Sequence, residues 1–411
     1  MSCREWKEYL LEDVVDKFID YRGKTPKKTE FGIPLITAKI IKDGFIQKAN
    51  EFISEDNYLS WMTRGFPQIN DVVMTTEAPL GEVAQIKTND KIALAQRIIT
   101  MRGKKEVLDN TYLKYFLQSN VGQSRLYARA TGTTVIGIKS AELKKVSILM
   151  PKYYEQKAIA ATLSCLDDMI ELNNRTDQVL EEMAQAIFKH WFVDFEFPNE
   201  DGLPYKSSGG AMIDSELGEI PEGWKVGTLK EICNVNMGQS PPSSTYNTEK
   251  IGMAFFQGVK DFGSRYPSCT RYCSEPKKIA EKGDILLSVR APVGEVNTAI
   301  ERCCIGRGLS ALSMKNMSNN YLHYLILNQK NGWEKFESGS VFTAINKTII
   351  ENLPIVDPPR DIVRKFNTLI QPIDQKILSN TKANFTLSQI RDTLLPKLMS
   401  GEIRVPVEEV V

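Results

Sequence analysis

The chain has 411 residues, 42% hydrophobic and 25% charged, which excludes disordered, collagen-like and disulfide-scaffold classes and leaves room for roughly two or three domains. Its 52 basic and 51 acidic side chains give a net charge of +1, which by itself identifies no polyanionic ligand. The charge is uneven: residues 1–150 and 218–360 are mildly basic, and the stretch between them is acidic.

In chain order, the opening MSCREWKEYL mixes charged and apolar residues, unlike a signal peptide. No run of about 18 apolar residues follows anywhere, so the expectation is a cytoplasmic chain without a membrane contact. Residues 1–150 read as a first domain rich in short strands and loops, with β-branched runs such as 72–74 and 146–149 punctuated by Gly, Pro and Asn. Residues 151–194 read as one long helix. There Ile159, Leu163, Leu166, Ile170, Asn173, Asp177, Leu180, Ala184, Ile187 and Trp191 alternate steps of four and three, a heptad seam. Residues 195–222, rich in Gly, Pro, Ser and acid, predict a linker or surface-hugging loop. A second domain spans 223–357 and a second long helix 358–400, with Phe366, Ile370, Ile373, Ile377, Asn380, Asn384, Leu387, Arg391, Leu394 and Leu398 along its seam. Residues 401–411 form a tail. Each helix is predicted to be roughly 60 Å long. Asn173 and Asn380 hold matching seam positions, where an amide is either buried, penalising wrong registers, or turned to solvent. Pro372 is expected to kink the second helix or mark its true start.

The two halves repeat each other. NDVVMTTEAPLGEV (70–83) answers GDILLSVRAPVGEV (283–296), and GTTVIGIKSAELKKVSILMP (132–151) answers GSVFTAINKTIIENLPIVDP (339–358). Tyr112–Tyr115 answers Tyr321–Tyr324, Trp6-Lys7 answers Trp224-Lys225, and Gln96–Ile99 aligns with Gly306–Leu309, placing Arg97 opposite Arg307. Two copies this long are a duplicated domain, not a solenoid. The fold class expected is α+β: two similar globular domains separated by two long antiparallel helices in a coiled-coil spacer with pseudo-two-fold symmetry.

Catalytic patterns are sparse. The two histidines, His190 and His323, sit at a helix end and in a Tyr-rich apolar stretch, where structural roles are expected. RGKT (22–25) resembles the end of a phosphate-binding loop, but Phe18 stands where that motif requires its first glycine. DPPR (357–360) has Arg360 where an amino methyltransferase places an aromatic, and a Pro-Pro start to the helix accounts for it. Seven cysteines read as reduced thiols. Cys269, Cys273, Cys303 and Cys304 offer four sulfurs, but adjacent cysteines are awkward joint ligands for zinc. No catalytic residue and no metal site is assigned.

The segment MAQAIFKHWFVDFEFPNEDGLPYKSSGGAMIDSELGEIPEGWKVGTL (183–229) resembles the central region of specificity subunits of Type I restriction-modification systems, and LLPKLMSGEIRV (394–405) resembles their C-terminal end. The resemblance implies two target-recognition domains, each reading one half of a split, asymmetric site on double-stranded DNA. Their spacing is set by the helical spacer. Two methyltransferase (modification) subunits that bind S-adenosylmethionine, and restriction subunits that are ATP- and Mg-dependent translocases, are the implied partners. No cofactor is implied in this chain itself.

Base reading needs fork or amide side chains, and phosphate contacts need cations, hydroxyls or backbone amides. In the first domain the candidates are Arg22, Lys24, Thr25, Lys27, Lys28, Lys39, Arg97, Thr133 and Thr134. In the second they are Gln239, Ser240, Ser243, Ser244, Tyr246, Lys260, Arg290, Arg307, Ser340 and Thr343. Arg97 and Arg307 serve equally well as internal salt-bridge partners. Two other classes remain open: a self-contained DNA methyltransferase or nuclease with an unrecognised active site, and a coiled-coil scaffold that binds no DNA.

Overall fold

The structure, a computed structural model, describes residues 6–21, 23, 25–329, 333 and 344–406. Arg22, Lys24, Ser340 and Thr343 lie outside the described residues. The chain forms two compact units, Met1–Glu171 with Asn384–Val411, and Leu172–Ala383. Helices and strands are mixed in both.

In the first unit Lys7–Leu10 pairs antiparallel with Ser147–Met150, so the domain's two ends close on each other just before the long helix Tyr153–Phe192 begins. A four-stranded antiparallel sheet runs Val15–Asp20, Ile98–Gly103, Val72–Thr76, Leu80–Gln85. Its strand Val72–Thr76 is buried throughout. Val72 and Met74 enter one apolar cluster and Val73 the other, because successive strand side chains point to opposite faces. Ile33–Ile36 pairs antiparallel with Phe52–Ile53 and parallel with Ala93–Leu94. The helix Asn110–Gln118 starts on Asp109, whose carboxylate accepts from the amides of Thr111 and Tyr112.

The second unit repeats this plan. Lys225–Thr228 pairs with Pro354–Asp357 ahead of the long helix Arg360–Met399. The four-stranded order is Cys233–Met237, Leu309–Met314, Ile285–Ser288, Val296–Thr298. Met253–Phe256 runs parallel to Cys303–Ile305, as Ile33–Ile36 does to Ala93–Leu94, and Asn320–Asn328 answers Asn110–Gln118. Matching side chains make matching bonds. Thr75 Oγ1 accepts from Glu82 N at 2.9 Å and Ser288 Oγ from Glu295 N at 2.9 Å. Asp71 Oδ2 accepts from Gln68 N and Asp284 Oδ2 from Glu281 N, both at 2.8 Å.

The strand register corrects one sequence alignment. Ile98 faces Thr75 and Leu309 faces Ser288, so Ile98 matches Leu309 and Arg97 matches Gly308. Arg307 matches Gln96. The two similar arginines lie one residue out of register, and a one-residue slip moves a strand side chain to the other face.

The cysteines divide in the same way. Adjacent on one strand, Cys303 joins one apolar cluster while Cys304 joins another with Cys273, and burial pushes the Cys303 thiol up to about 12.

The seam residues pack within each unit. In the first, Ile159 and Leu163 are fully buried beside Leu398 and Met399; Ile170 is buried, and Leu166, Leu387 and Leu394 are half-buried. In the second, Phe366, Ile370, Ile377 and Asn380 are buried, while Asn173, Leu180, Ile187 and Ile373 are half-buried. The two seam asparagines therefore differ: Asn380 Nδ2 donates to Asp177 Oδ1 at 2.6 Å. Pro372 does not mark the helix start, since the helix is continuous from Arg360 to Met399. An interior proline costs about 3 kcal/mol, and burying Phe366, Ile370 and Ile377, at about 1.5–3 kcal/mol each, outweighs it. Residues 195–222 lie on the second unit: Met212–Ile213 pairs with Ile220–Pro221, and Phe197 stacks on Tyr205 and Trp224 at 4.6 and 5.0 Å.

Candidate nucleic-acid interface

In the first domain three separate segments meet at one end of the four-stranded sheet. The loop after Val15–Asp20 is held at its base by Tyr21, whose hydroxyl donates to Gly65 O and accepts from Arg64 N, both at 2.9 Å. The tip Thr76–Ala78 follows strand Val72–Thr76. The turn 132–136 is closed by reciprocal backbone bonds between Thr131 and Gly137 at 2.8 and 2.9 Å. That turn requires Gly132: its φ is +119°, and a Cβ there would stand 2.1 Å from Val135 O. Together with Gln96 and Arg97, which lead into strand Ile98–Gly103, these segments line a cleft of about 330 Å³ with Gly23, Thr76, Glu77, Thr131 and Lys139 on its walls.

Of the sequence candidates, Arg97 lies in this cleft, and Thr133 and Thr134 stand exposed on the turn beside it. Arg97 Nε reaches Glu77 Oε1 at 3.1 Å; the two side chains are 54% and 43% exposed. So exposed a pair contributes at most about 1 kcal/mol to folding. Thr25 and Lys27 are exposed on the first loop. Lys28 and Lys39 share the Glu51 carboxylate at 2.6 and 3.7 Å, so that pair of cations is partly neutralised.

In the second domain the matching sheet end carries Ser240, Arg290 and Arg307. Ser240 Oγ accepts from Arg307 N at 3.2 Å, and Val289 N donates to Gly308 O at 2.9 Å, setting Arg290 next to that turn. Both arginines are exposed, and among the described residues neither has an ion-pair partner. Gln239, Ser243 and Ser244 are exposed along the same loop. Tyr246 instead braces that loop: its hydroxyl donates to Pro241 O at 2.9 Å and its ring lies 4.8 Å from Phe255. Lys260 is exposed on a separate short turn, Val259–Asp261.

Behind each sheet a buried polar cluster ties the domain to the long-helix segments of its own unit. In the first, Asp167 Oδ2 accepts from Lys114 Nζ and from Tyr115 Oη, both at 2.7 Å, and Asp167 Oδ1 accepts from Arg391 Nη1 at 2.9 Å. Burial would raise the Asp167 carboxyl, but Lys114, Tyr115 and Arg391 more than offset it and hold it below the ordinary value. Burial outweighs Asp167 at Lys114 and lowers that ammonium. In the second unit Arg265, 5% exposed, donates to Asp374 at 2.7 Å and to Glu181 at 3.4 Å, beneath Tyr324. His323 stands where Lys114 does in the first copy, its Nε2 3.8 Å from Glu181. Burial and then Arg265 push His323 down to about 4. Glu181 falls to about 2 because His323 and Arg265 overcome its burial. Asp167 and Asp374 hold equivalent positions, one residue after Leu166 and Ile373.

A family model described as the Type I restriction modification DNA specificity domain matches residues 4–182 and again 221–394. The chain belongs to this family. A Methanocaldococcus jannaschii protein provisionally named as the MjaX specificity subunit of a type I restriction enzyme is 30% identical, with 98% of this chain and 94% of that one covered. The MjaIX specificity subunit of the same organism is 27% identical over 98% and 94%. The crystal structure of the S subunit of a Type I restriction-modification system from M. genitalium shares the fold. It has a TM-score of 0.58 at 19% identity, with 98% of this chain and 96% of that one covered. This is a DNA sequence-recognition subunit, and its two specificity domains are the two halves of the internal repeat.

Sequence reasoning overlooked Glu77, Gln96 and Lys139 in the first specificity domain's cleft. One signal for Glu77 was available: the repeat sets it opposite Arg290, a reversal of charge within an otherwise similar segment. The buried clusters had a signal too, in the match of Lys114-Tyr115 with His323-Tyr324.

Proposed function

We propose that the two specificity domains read the two halves of a split, asymmetric target on double-stranded DNA, while chemistry is left to partner subunits. The observation that carries this reading is that one scaffold, with the same strand order and the same supporting hydrogen bonds, ends in different side chains in its two copies: Glu77 and Arg97 in one, Arg290 and Arg307 in the other. Duplex DNA has a pseudo-dyad, so two related modules in one chain can meet it in opposite senses. Divergent tips let the half-sites differ.

The long helices act in this reading as an antiparallel coiled-coil spacer with pseudo-two-fold symmetry. Support comes from within each unit: Asp167 meets Arg391 in the first, and Asp177 meets Asn380 while Phe188 and Phe192 meet Phe366 in the second. In both, a later residue of one helix meets an earlier residue of the other. Forty residues span about 60 Å, less than two turns of DNA at roughly 34 Å per turn.

The partners are two modification subunits carrying S-adenosylmethionine and restriction subunits using ATP and Mg. The assembly acts in the cell interior; among the described residues no helix is long and apolar enough to cross a membrane. The test is selection from a randomised duplex pool by the chain assembled with modification subunits, alongside methyl transfer by the chain alone. A split consensus, with no transfer by the lone chain, is the expected result. Methyl transfer by the lone chain returns the reading to a self-contained methyltransferase, and absence of any selected sequence removes the DNA-reading role.

A further inference from the structure

We propose that the matched tip position, Glu77 in the first domain and Arg290 in the second, is specificity-determining. Glu77 accepts a hydrogen bond from the N4 amino group of a cytosine in one half-site, and Arg290 forks onto a guanine in the other. This rests on the reading that the domains bind DNA, and it deepens that reading to single residues.

Three observations meet at this position. The tips are built alike: Thr75 and Ser288 fasten them to Glu82 and Glu295 at the same 2.9 Å, and Ala-Pro follows in both. The side chains at positions 77 and 290 therefore stand at the same place in the two tips with opposite charge. The neighbour also changes with the tip. Where the tip is Glu77, Arg97 stands 3.1 Å away. Where the tip is Arg290, the position matched to Arg97 is Gly308, and a Cβ there would fall 2.3 Å from Gln257 O. Among the described residues the counter-charge stands beside the acidic tip and not beside Arg290. Finally, Glu77 and Arg97 are both about half exposed, in a cleft that also holds Gln96, Lys139 and Thr131.

A carboxylate on a surface that faces phosphates is repelled by them, so a stabilising surface pair is a poor account of Glu77. A carboxylate neutralised and aimed by a neighbouring guanidinium keeps its second oxygen for a donor. In the major groove the cytosine amino group is the donor that carboxylates read, as guanine O6 and N7 are the acceptors that arginine reads. Arg290 needs no such neutralising partner, and among the described residues it has no ion pair.

The experiment uses the chain assembled with its modification subunits. Adenine methylation is mapped across a genome, and binding is measured on duplexes substituted one base pair at a time. Glu77→Gln, and Glu77→Ala as a second variant, are expected to lose roughly 5- to 150-fold of discrimination at one C·G pair of a single half-site and to leave the other half-site as selective as before. Arg290→Gln is expected to relax one G in the opposite half-site. The intact half-site certifies folding in each case. The proposal is overturned if the variants keep the wild-type motif, if binding weakens uniformly across sequences as for a phosphate contact, or if both Glu77 variants lose both half-sites. A wild-type complex that selects no sequence overturns the DNA-reading role itself, and this inference with it.

Discussion

Replacing Asp167 by Asn tests the anchor of the first domain. The carboxylate is 5% exposed and receives Lys114, Tyr115 and Arg391 at 2.7, 2.7 and 2.9 Å. Asparagine keeps an acceptor for the Tyr115 hydroxyl but leaves Lys114 without a counter-charge, while Arg391 keeps Asp392 at 2.9 Å. Removing one member of a buried pair costs about 3–5 kcal/mol. Lys114 limits the damage by shedding its proton, which at pH 7 costs at most about 5 kcal/mol against an ordinary value near 10.4. Lys114→Met should behave differently. Burial already holds that ammonium below its ordinary value, and Asp167 keeps Arg391 and Tyr115 at 2.9 and 2.7 Å, so the methionine variant should cost less than Asp167→Asn.

The linkage gives a second signature. A lysine whose folded value is depressed binds fewer protons folded than unfolded, so stability rises with pH between the folded value and about 10.4. The slope should steepen in Asp167→Asn and vanish in Lys114→Met. A chain of two units does not unfold in one step. The readout is therefore amide hydrogen exchange against urea in the peptide of helix Asn110–Gln118. A cost below about 1 kcal/mol for Asp167→Asn, or equal costs for the two variants, would refute the reasoning.

Other outcomes follow from the same structure. His323 is held neutral at about 4, below an ordinary value of about 6.5, so the second unit should keep full stability above about pH 6.5. It should lose up to about 3 kcal/mol as pH falls toward 4, visible as exchange in Asn320–Asn328 and absent in His323→Leu. Asn380→Ala removes the donor to Asp177 at 2.6 Å and should cost about 1–3 kcal/mol in urea-dependent exchange of the second helix. Gly132→Val places a Cβ against Val135 O at a φ of +119° and should abolish selection of one half-site while melting of the second unit stays unchanged; a wild-type consensus from this variant would remove the turn from the interface.

Periodicity carried most of the architecture. A heptad seam is visible because 3.5-residue repeats are long and redundant, and the duplicated domain is visible because segments such as 70–83 and 283–296 share turn residues that backbone geometry demands. The register at Arg97 was not visible. Setting arginine opposite arginine fixed the wrong shift, and only the pairing of Ile98 with Thr75 and Leu309 with Ser288 gives the right one. Pro372 does not begin the helix because the burial of Phe366, Ile370 and Ile377 around it outweighs the local propensity. The cleft was half legible: cations and threonines in loops were named, but Glu77 was passed over because carboxylates are not sought on a surface expected to face phosphates.

The two anchors show what duplication must preserve and what it can vary. Tyr115 and Tyr324 each present a hydroxyl to the equivalent carboxylates Asp167 and Asp374, at 2.7 and 3.4 Å. The charge around them is balanced by different residues. The first unit opposes Asp167 with Lys114 from the domain and Arg391 from a long helix. The second opposes Asp374 and Glu181 with Arg265 from a different loop of the domain, and leaves neutral His323 in the lysine's place. Position is retained because the domain must meet the helix in one geometry; the sign and source of the charges can drift, since only the local sum must be compensated in a buried site. The same freedom operates at the tips, where Glu77 with Arg97 became Arg290 with Gly308, but there the side chains face solvent and the drift changes what the surface can hydrogen-bond. A scaffold fixed at its buried anchor and variable at its exposed end is what two unlike half-sites require of one duplicated fold.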